Sequence, residues 1–134
     1  MFEKRESSLW ALVRDNLKKD FLLTRIESIA TPGVPDVLLV SKKSGNQAWV
    51  ELKIIRGRKP KFGTEQVGWI LRHSNLGVGV YILARKDDTI FLWPGTKVME
   101  IIDKGTDVEC EKWSRPFDWP AISKLLEGSG SVEE

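Results

Sequence analysis

The chain has 134 residues, 41% of them hydrophobic, and its 21 basic and 19 acidic residues give a net charge of +2. That length predicts one domain with a single core, for which the hydrophobic content and six tryptophans supply the material. One cysteine, Cys110, excludes an internal disulfide or cysteine-based zinc site, and one histidine, His73, excludes a His-rich metal centre. No leader-like segment opens the sequence and no apolar run approaches a bilayer span, so a soluble intracellular protein without a membrane partner is expected.

In chain order, Glu3 to about Lys19 predicts an amphipathic helix with Leu9, Trp10, Val13 and Leu17 on its apolar face. Phe21 to Ile29 reads as a strand leading into a turn at Thr31-Pro32-Gly33. Val37–Val40 and Ala48–Ile55 are apolar strand sequences separated by the turn-type segment Ser41–Gln47, and the lack of alternation in the first predicts cover on both faces. Thr64 is placed to cap a second helix running to about Ser74, with Val67, Ile70 and Leu71 inward and Gly77 beyond its end. Val78–Ala84 and Thr89–Trp93 follow as strands around an Asp87-Asp88 turn. The helix between the Glu51 and Val78 strands predicts a parallel β-α-β crossover and hence a mixed sheet. Farther on, Lys97–Ile102 is read as a short strand and Pro120–Glu127 as a short helix, while Trp113, Phe117 and Trp119 are read as core caps ahead of a dimer contact or base stacking. The domain is expected to span residues 1–127, with residues 128–134 as a disordered tail.

The chemistry concentrates on Asp36 and Glu51-Leu52-Lys53. A turn centred near Ser44 and Gly45 pairs residues whose numbers sum to about 88, setting Asp36 opposite Glu51 to Lys53. Trp49, Glu51 and Lys53 then share one face, and Val50, Leu52 and Ile54 the other. Charges beside apolar strands need partners, so the cluster is either an internal ion-pair network or a metal site, and the second is favoured. Two carboxylates and an ammonium so placed suit a divalent cation and a charged phosphate, which points to phosphodiester hydrolysis. From Leu52 to Thr64 the chain carries Lys53, Arg56, Arg58, Lys59 and Lys61 with no acidic residue, a stretch suited to a polyanion. His73 is read as structural or DNA-facing, and Cys110 as a small hydrophobe.

The series Glu6, Gly33-Val34-Pro35-Asp36, Glu51-Leu52-Lys53 and Gln66 resembles the PD-(D/E)xK nuclease superfamily. More narrowly it resembles the virus-type replication-repair nuclease (VRR-NUC) domain, whose short stand-alone members occur in phages; the likeness covers about Glu3 to Arg85. It implies an α/β restriction-endonuclease-like fold, with a central mixed β-sheet flanked by helices in the order α-β-β-β-α-β plus C-terminal additions. It further implies that Asp36, Glu51 and the Leu52 carbonyl ligate magnesium or manganese, oxygen ligands that suit hard cations. Lys53 would position the attacking water or stabilise the phosphorane, Gln66 would orient Lys53 or the water, and Glu6 would be an outer ligand, with Glu3 and Glu27 as competitors. Arg56, Arg58, Lys59 and Lys61 would contact DNA. The implied activity is metal-dependent, structure-specific endonuclease cleavage of branched DNA, with Holliday-junction resolution by a homodimer foremost. A flap or nicking repair nuclease and a non-catalytic DNA-binding module are the alternatives. The expected location is the cytoplasm, or a host's cytoplasm for a viral protein.

Overall fold

The computed structural model describes residues 4–27 and 30–128. Helix α1 (Lys4–Leu17) precedes strands β1 (Phe21–Arg25), β2 (Val37–Ser41) and β3 (Gln47–Ile54). Helix α2 (Thr64–Asn75) leads to β4 (Val80–Lys86) and β5 (Thr89–Pro94). Helix α3 (Val98–Lys104), flanked by single 3-10 turns, then β6 (Glu111–Ser114) and α4 (Trp119–Leu126) complete the chain. The strands form one six-stranded sheet in sequence order, in which β3 and β4 are parallel and every other pair antiparallel.

The sheet separates two apolar layers. Leu9, Val13 and Leu17 recur at four-residue spacing along α1 and pack with Val50, Leu52, Leu83, Ile122 and Leu126 on one face. Trp69 and Ile70 of α2, with Val98 and Ile101 of α3, cover Ile82, Ala84 and Trp93 on the other. Trp113, Phe117 and Trp119 are half-buried against the α1 and α4 layer, which agrees with a capping role in the core. No helix among the described residues is long and apolar enough to cross a membrane.

The β2–β3 connection sets the ladder. Gly45, at φ 79°, lets its amide return to the Ser41 carbonyl, while Ser41 Oγ accepts the amides of Lys43 and Ser44. The pairing is Val37 with Val50 and Leu39 with Ala48, which sums to 87 and sets Asp36, one residue beyond Val37, across from Glu51.

Several expectations are corrected. Lys97–Ile102 is not a strand but the start of α3: Val98 and Ile101 are both fully buried while Met99 and Ile102 are exposed, a spacing of three that belongs to a helix. Strand β6 was not expected, because Glu111–Ser114 is a short edge strand with little buried side chain. β1 stops at Arg25, and the rest of the expected strand includes Ser28 and Ile29, outside the described residues. β4 begins at Val80, leaving Val78 exposed. The cover on β2 is one-sided, with Val37 and Leu39 buried but Leu38 and Val40 only half-buried. The expected tail residues 129–134 also lie outside the described residues.

One close approach ties the turn before Asp36 to α2. Gly33 sits at φ +91°, and a Cβ there would overlap the Glu65 carbonyl of the first turn of α2. Gly45 has φ +79° but open space around it. Gly45→Ala should therefore cost only the left-handed backbone penalty, about 1–2 kcal/mol, whereas Gly33→Ala adds a clash with main chain and should cost about 2–5 kcal/mol in all. Thermal unfolding of the two variants side by side checks the difference.

Candidate active site

Strand β3 divides its main-chain groups between its two neighbours. The amides of Trp49 and Ile55 donate to Gly79 and Arg85 carbonyls beside β4, so odd-numbered residues of β3 face β4 and even-numbered ones face β2. The β2 ladder ends at the Val37–Val50 pair, leaving Leu52 just past it. There the Asp36 side chain replaces the missing strand: its Oδ2 accepts the Leu52 amide at 2.8 Å. The Asp36 carbonyl in turn accepts the Ile26 amide at 2.7 Å, anchoring the backbone of the loop. Because N–H and C=O of one extended residue point to the same edge, the Leu52 carbonyl is directed to Asp36's side as well.

Glu51 lies under α2. Its side chain is only 2% exposed and that of Lys53 12%, and Lys53 Nζ lies 3.1 Å from Glu51 Oε2. Gln66, in the first turn of α2, closes the triangle: Nε2 donates to Glu51 Oε2 at 2.8 Å while Oε1 accepts Lys53 Nζ at 2.9 Å. The same Oε1 accepts the Gly63 amide at 2.9 Å, and its two donors fix which way the Gln66 amide points. The Phe62 ring carries the Lys53 ammonium 4.7 Å from its centroid. Phe62 and Gly63 were not singled out from sequence, because their roles come from spatial contact with Lys53 and Gln66 and no motif announces them.

The electrostatics are those of a site short of positive charge. Burial, reinforced by the charge of Asp36 and opposed by Lys53, pushes the Glu51 carboxyl up to about 8. Burial raises Asp36 as well, against the Leu52 amide and the Lys53 charge. Glu6 lies close enough for its charge to raise both carboxyls, and it lines a cavity of about 240 Å3 with Lys53 and Arg56. Of its two competitors, Glu27 is paired with Arg25 at 2.8 Å and Glu3 lies outside the described residues.

Among the described residues no three His, Cys, Asp or Glu side chains gather closely enough to enclose a metal ion by themselves. The donor set nevertheless fits a hard divalent cation of the magnesium kind, which is commonly held by one or two carboxylates and completes its shell with water. A buried and a half-buried carboxyl whose charges resist each other are stabilised by such an ion. Asp36, Glu51 and the Leu52 carbonyl are the groups that would hold it.

Arg56, Arg58, Lys59 and Lys61 are all exposed. Lys59, Lys61 and Arg56 line the small cavity beside Lys53, but Arg58 turns away to Asp107 at 3.3 Å, and its carbonyl accepts the Thr106 amide. His73 serves the helix: its ring stacks on Trp69 with centroids 3.6 Å apart, and Nδ1 lies 2.7 Å from the Trp69 carbonyl. Cys110 is half-buried, and burial pushes its thiol up.

The mixed six-stranded sheet flanked by helices is an α/β fold of the restriction-endonuclease-like class. Among solved structures it is similar to Hjc of Archaeoglobus fulgidus, a Holliday junction resolvase from an archaeal hyperthermophile, with a TM-score of 0.57 over 92% of this chain and 99% of that one. Sequence identity to it is 14%, so the likeness is one of fold. No protein-family model and no curated protein matches the sequence.

The raised Glu51 carboxyl has a measurable consequence. With chelator present, folded Glu51 keeps its proton to about pH 8, whereas the unfolded chain releases it near 4.5. The folded state then binds more protons across that window, so this contribution is complete below about pH 4.5 and is lost as pH rises through about 8. Thermal unfolding should show stability falling with a slope of at most about 1.4 kcal/mol per pH unit, and Glu51→Gln should flatten that profile.

Proposed function

We propose that the chain is a metal-dependent, structure-specific endodeoxyribonuclease that resolves four-way DNA junctions as a homodimer. The observation that carries this reading is the set of Asp36 and Glu51 at the open end of the β2–β3 ladder, with Lys53 and Gln66 locked onto Glu51. An internal ion pair would need one carboxylate for one ammonium. A second, half-buried carboxyl whose pKa stays raised despite the charges of Lys53 and Arg25 makes sense where a cation and a phosphate are to be received.

Magnesium or manganese, when bound, supplies Lewis acidity toward the phosphate oxygens and lowers the pKa of the attacking water. The protein's part is positioning. Lys53 has three N–H donors, of which Glu51 and Gln66 take two, leaving one for a non-bridging phosphate oxygen or the incoming water. Gln66 holds that ammonium in place and is itself braced by Gly63, so the donor is oriented before substrate arrives. Phe62 shields one side of the ammonium from water and strengthens its field. Glu6 acts from α1 as an outer support for the cation. Arg56, Lys59 and Lys61 meet the phosphates flanking the cut, while Arg58 contributes if DNA displaces Asp107.

Two copies about a twofold axis would present two sites to a symmetric junction. The fold likeness to a junction resolvase supports this choice over a flap substrate. We also place the chain with the short, phage-type virus-type replication-repair nucleases, on Gly33-Val34-Pro35-Asp36, Glu51-Leu52-Lys53 and Gln66, acting in the cytoplasm of the cell where it is made.

End-labelled four-way junction, flap, nicked and linear duplex, incubated with magnesium, manganese or chelator, test the proposal. Symmetric paired nicks on the junction are expected, with Asp36→Ala, Glu51→Ala and Lys53→Ala each lowering the cleavage rate at least about 100-fold and Gln66→Ala about 10-fold. Flap-only cutting would move the assignment to a flap nuclease. Tight binding without cutting under any metal would make the chain a DNA-binding module.

A further inference from the structure

We propose that a second groove, formed by Arg5, Arg56 and Arg85, seats the cleaved DNA strand on one side of the scissile phosphate and holds the next one or two phosphates. The proposal rests on the nuclease reading and adds to it a strand path leaving the site. The groove has a volume of about 730 Å3 and lies where β3 and β4 end. Arg5 reaches it from α1, Arg56 from the segment after β3 and Arg85 from β4, over a floor of Ile54 and Ile55.

Three features commit the groove to a nucleic-acid strand. It is continuous with the site: Ile54 and Arg56 line both this groove and the smaller cavity that holds Glu6 and Lys53. Among the described residues that line it, three guanidinium groups meet a single carboxylate, that of Asp87. Arg85 is also set in place before any ligand arrives. It stands opposite Ile54 in the parallel ladder, its Nε donates to the Asp87 carbonyl at 2.9 Å, and its guanidinium lies 5.4 Å from the centre of the Phe117 ring. Asp87, at φ 52°, makes the turn that aims that carbonyl back at Arg85. A planar guanidinium already braced on an aromatic face loses little freedom on meeting a phosphate, and its fork matches two phosphate oxygens. The apolar floor suits the sugar and base edge between successive phosphates. An acidic peptide is the competing occupant, and the test separates it.

The test measures binding of the full chain to a four-way junction in chelator, by fluorescence anisotropy from 50 to 250 mM salt, so that no cleavage is needed. Arg5→Ala/Arg85→Ala should bind about 10- to 100-fold more weakly than the parent, and its log Kd against log salt slope should be shallower by about 2, at about 0.9 for each phosphate no longer neutralised. Single methylphosphonates placed in turn at the three phosphates on either side of the cut locate the strand in the groove. One or two on a single side should weaken the parent about tenfold and leave the double variant unaffected. Should removal of the Arg85–Phe117 pairing unfold the double variant, Arg5→Ala alone, at an exposed helical position, must still lower the slope by about 1, and Arg85→Lys must bind more weakly than the parent. Unchanged affinity and slope, or methylphosphonate sensitivity that persists in the variants, would overturn the groove, as would a polyglutamate peptide competing as well as DNA. Loss of metal-dependent cutting in the parent would instead overturn the nuclease reading while leaving these binding results standing.

Discussion

The Glu51 carboxylate is held in an interior strand, almost wholly out of water, and the surrounding site depends on how that burial is tolerated. A carboxyl so placed must be neutral, paired or bound to a cation. Lys53, two residues along the same strand, and Gln66, from the first turn of α2, together supply the local pairing. The glycine at 33 lets the loop before Asp36 press against the first turn of that helix, so Gln66 and Asp36 are positioned by the same contact. Both carboxyls stay raised despite the charge of Lys53 and, at Asp36, that of Arg25, and this is what gives the site its appetite for a cation.

The end of the β2 ladder serves the same purpose from the other side. If β2 continued to pair with β3 past Val37, the Leu52 amide would be consumed by a strand and Asp36 would lie inside a ladder. Ending the pairing there lets one side-chain oxygen of Asp36 take the amide and directs the Leu52 carbonyl to the same opening. Parallel pairing of β3 with β4 keeps the opposite edge of β3 fully engaged, so the opening faces one way. Basic residues from the loop after β3, from α1 and from β4 line the two adjoining cavities that Ile54 and Arg56 share.

Much of this was legible in the sequence, and the physical reasons are specific. The hairpin register could be read to within one residue because Ser44 and Gly45 mark a short turn, and pairing around a turn follows from its centre. The crossover helix and the parallel pair followed from the spacing between two apolar strands. Gln66 was legible through the family resemblance alone, since a glutamine in a first helical turn is otherwise unremarkable. α3 was misread as a strand because six residues with Val98, Ile101 and Ile102 fit either period, and only packing against α2 decides between them. β6 offered no apolar pattern to read. Arg5 and Arg85 are eighty positions apart in the chain and converge only through the fold, as do Phe62 and Lys53 over a shorter reach.

Asp36 and Glu51 are proposed to form a cation site whose carboxyl protons give way to the ion. Isothermal titration calorimetry of manganese binding at pH 7, repeated in buffers of different ionisation enthalpy, measures this directly because the apparent heat varies with the protons released. Saturable binding is expected, with release of up to about one proton per ion, a release that fades above about pH 9, where Glu51 is already ionised. Asp36→Asn should abolish the binding. Manganese binding that is undisturbed by Asp36→Asn, or that releases no proton at pH 7, would rule this exchange out.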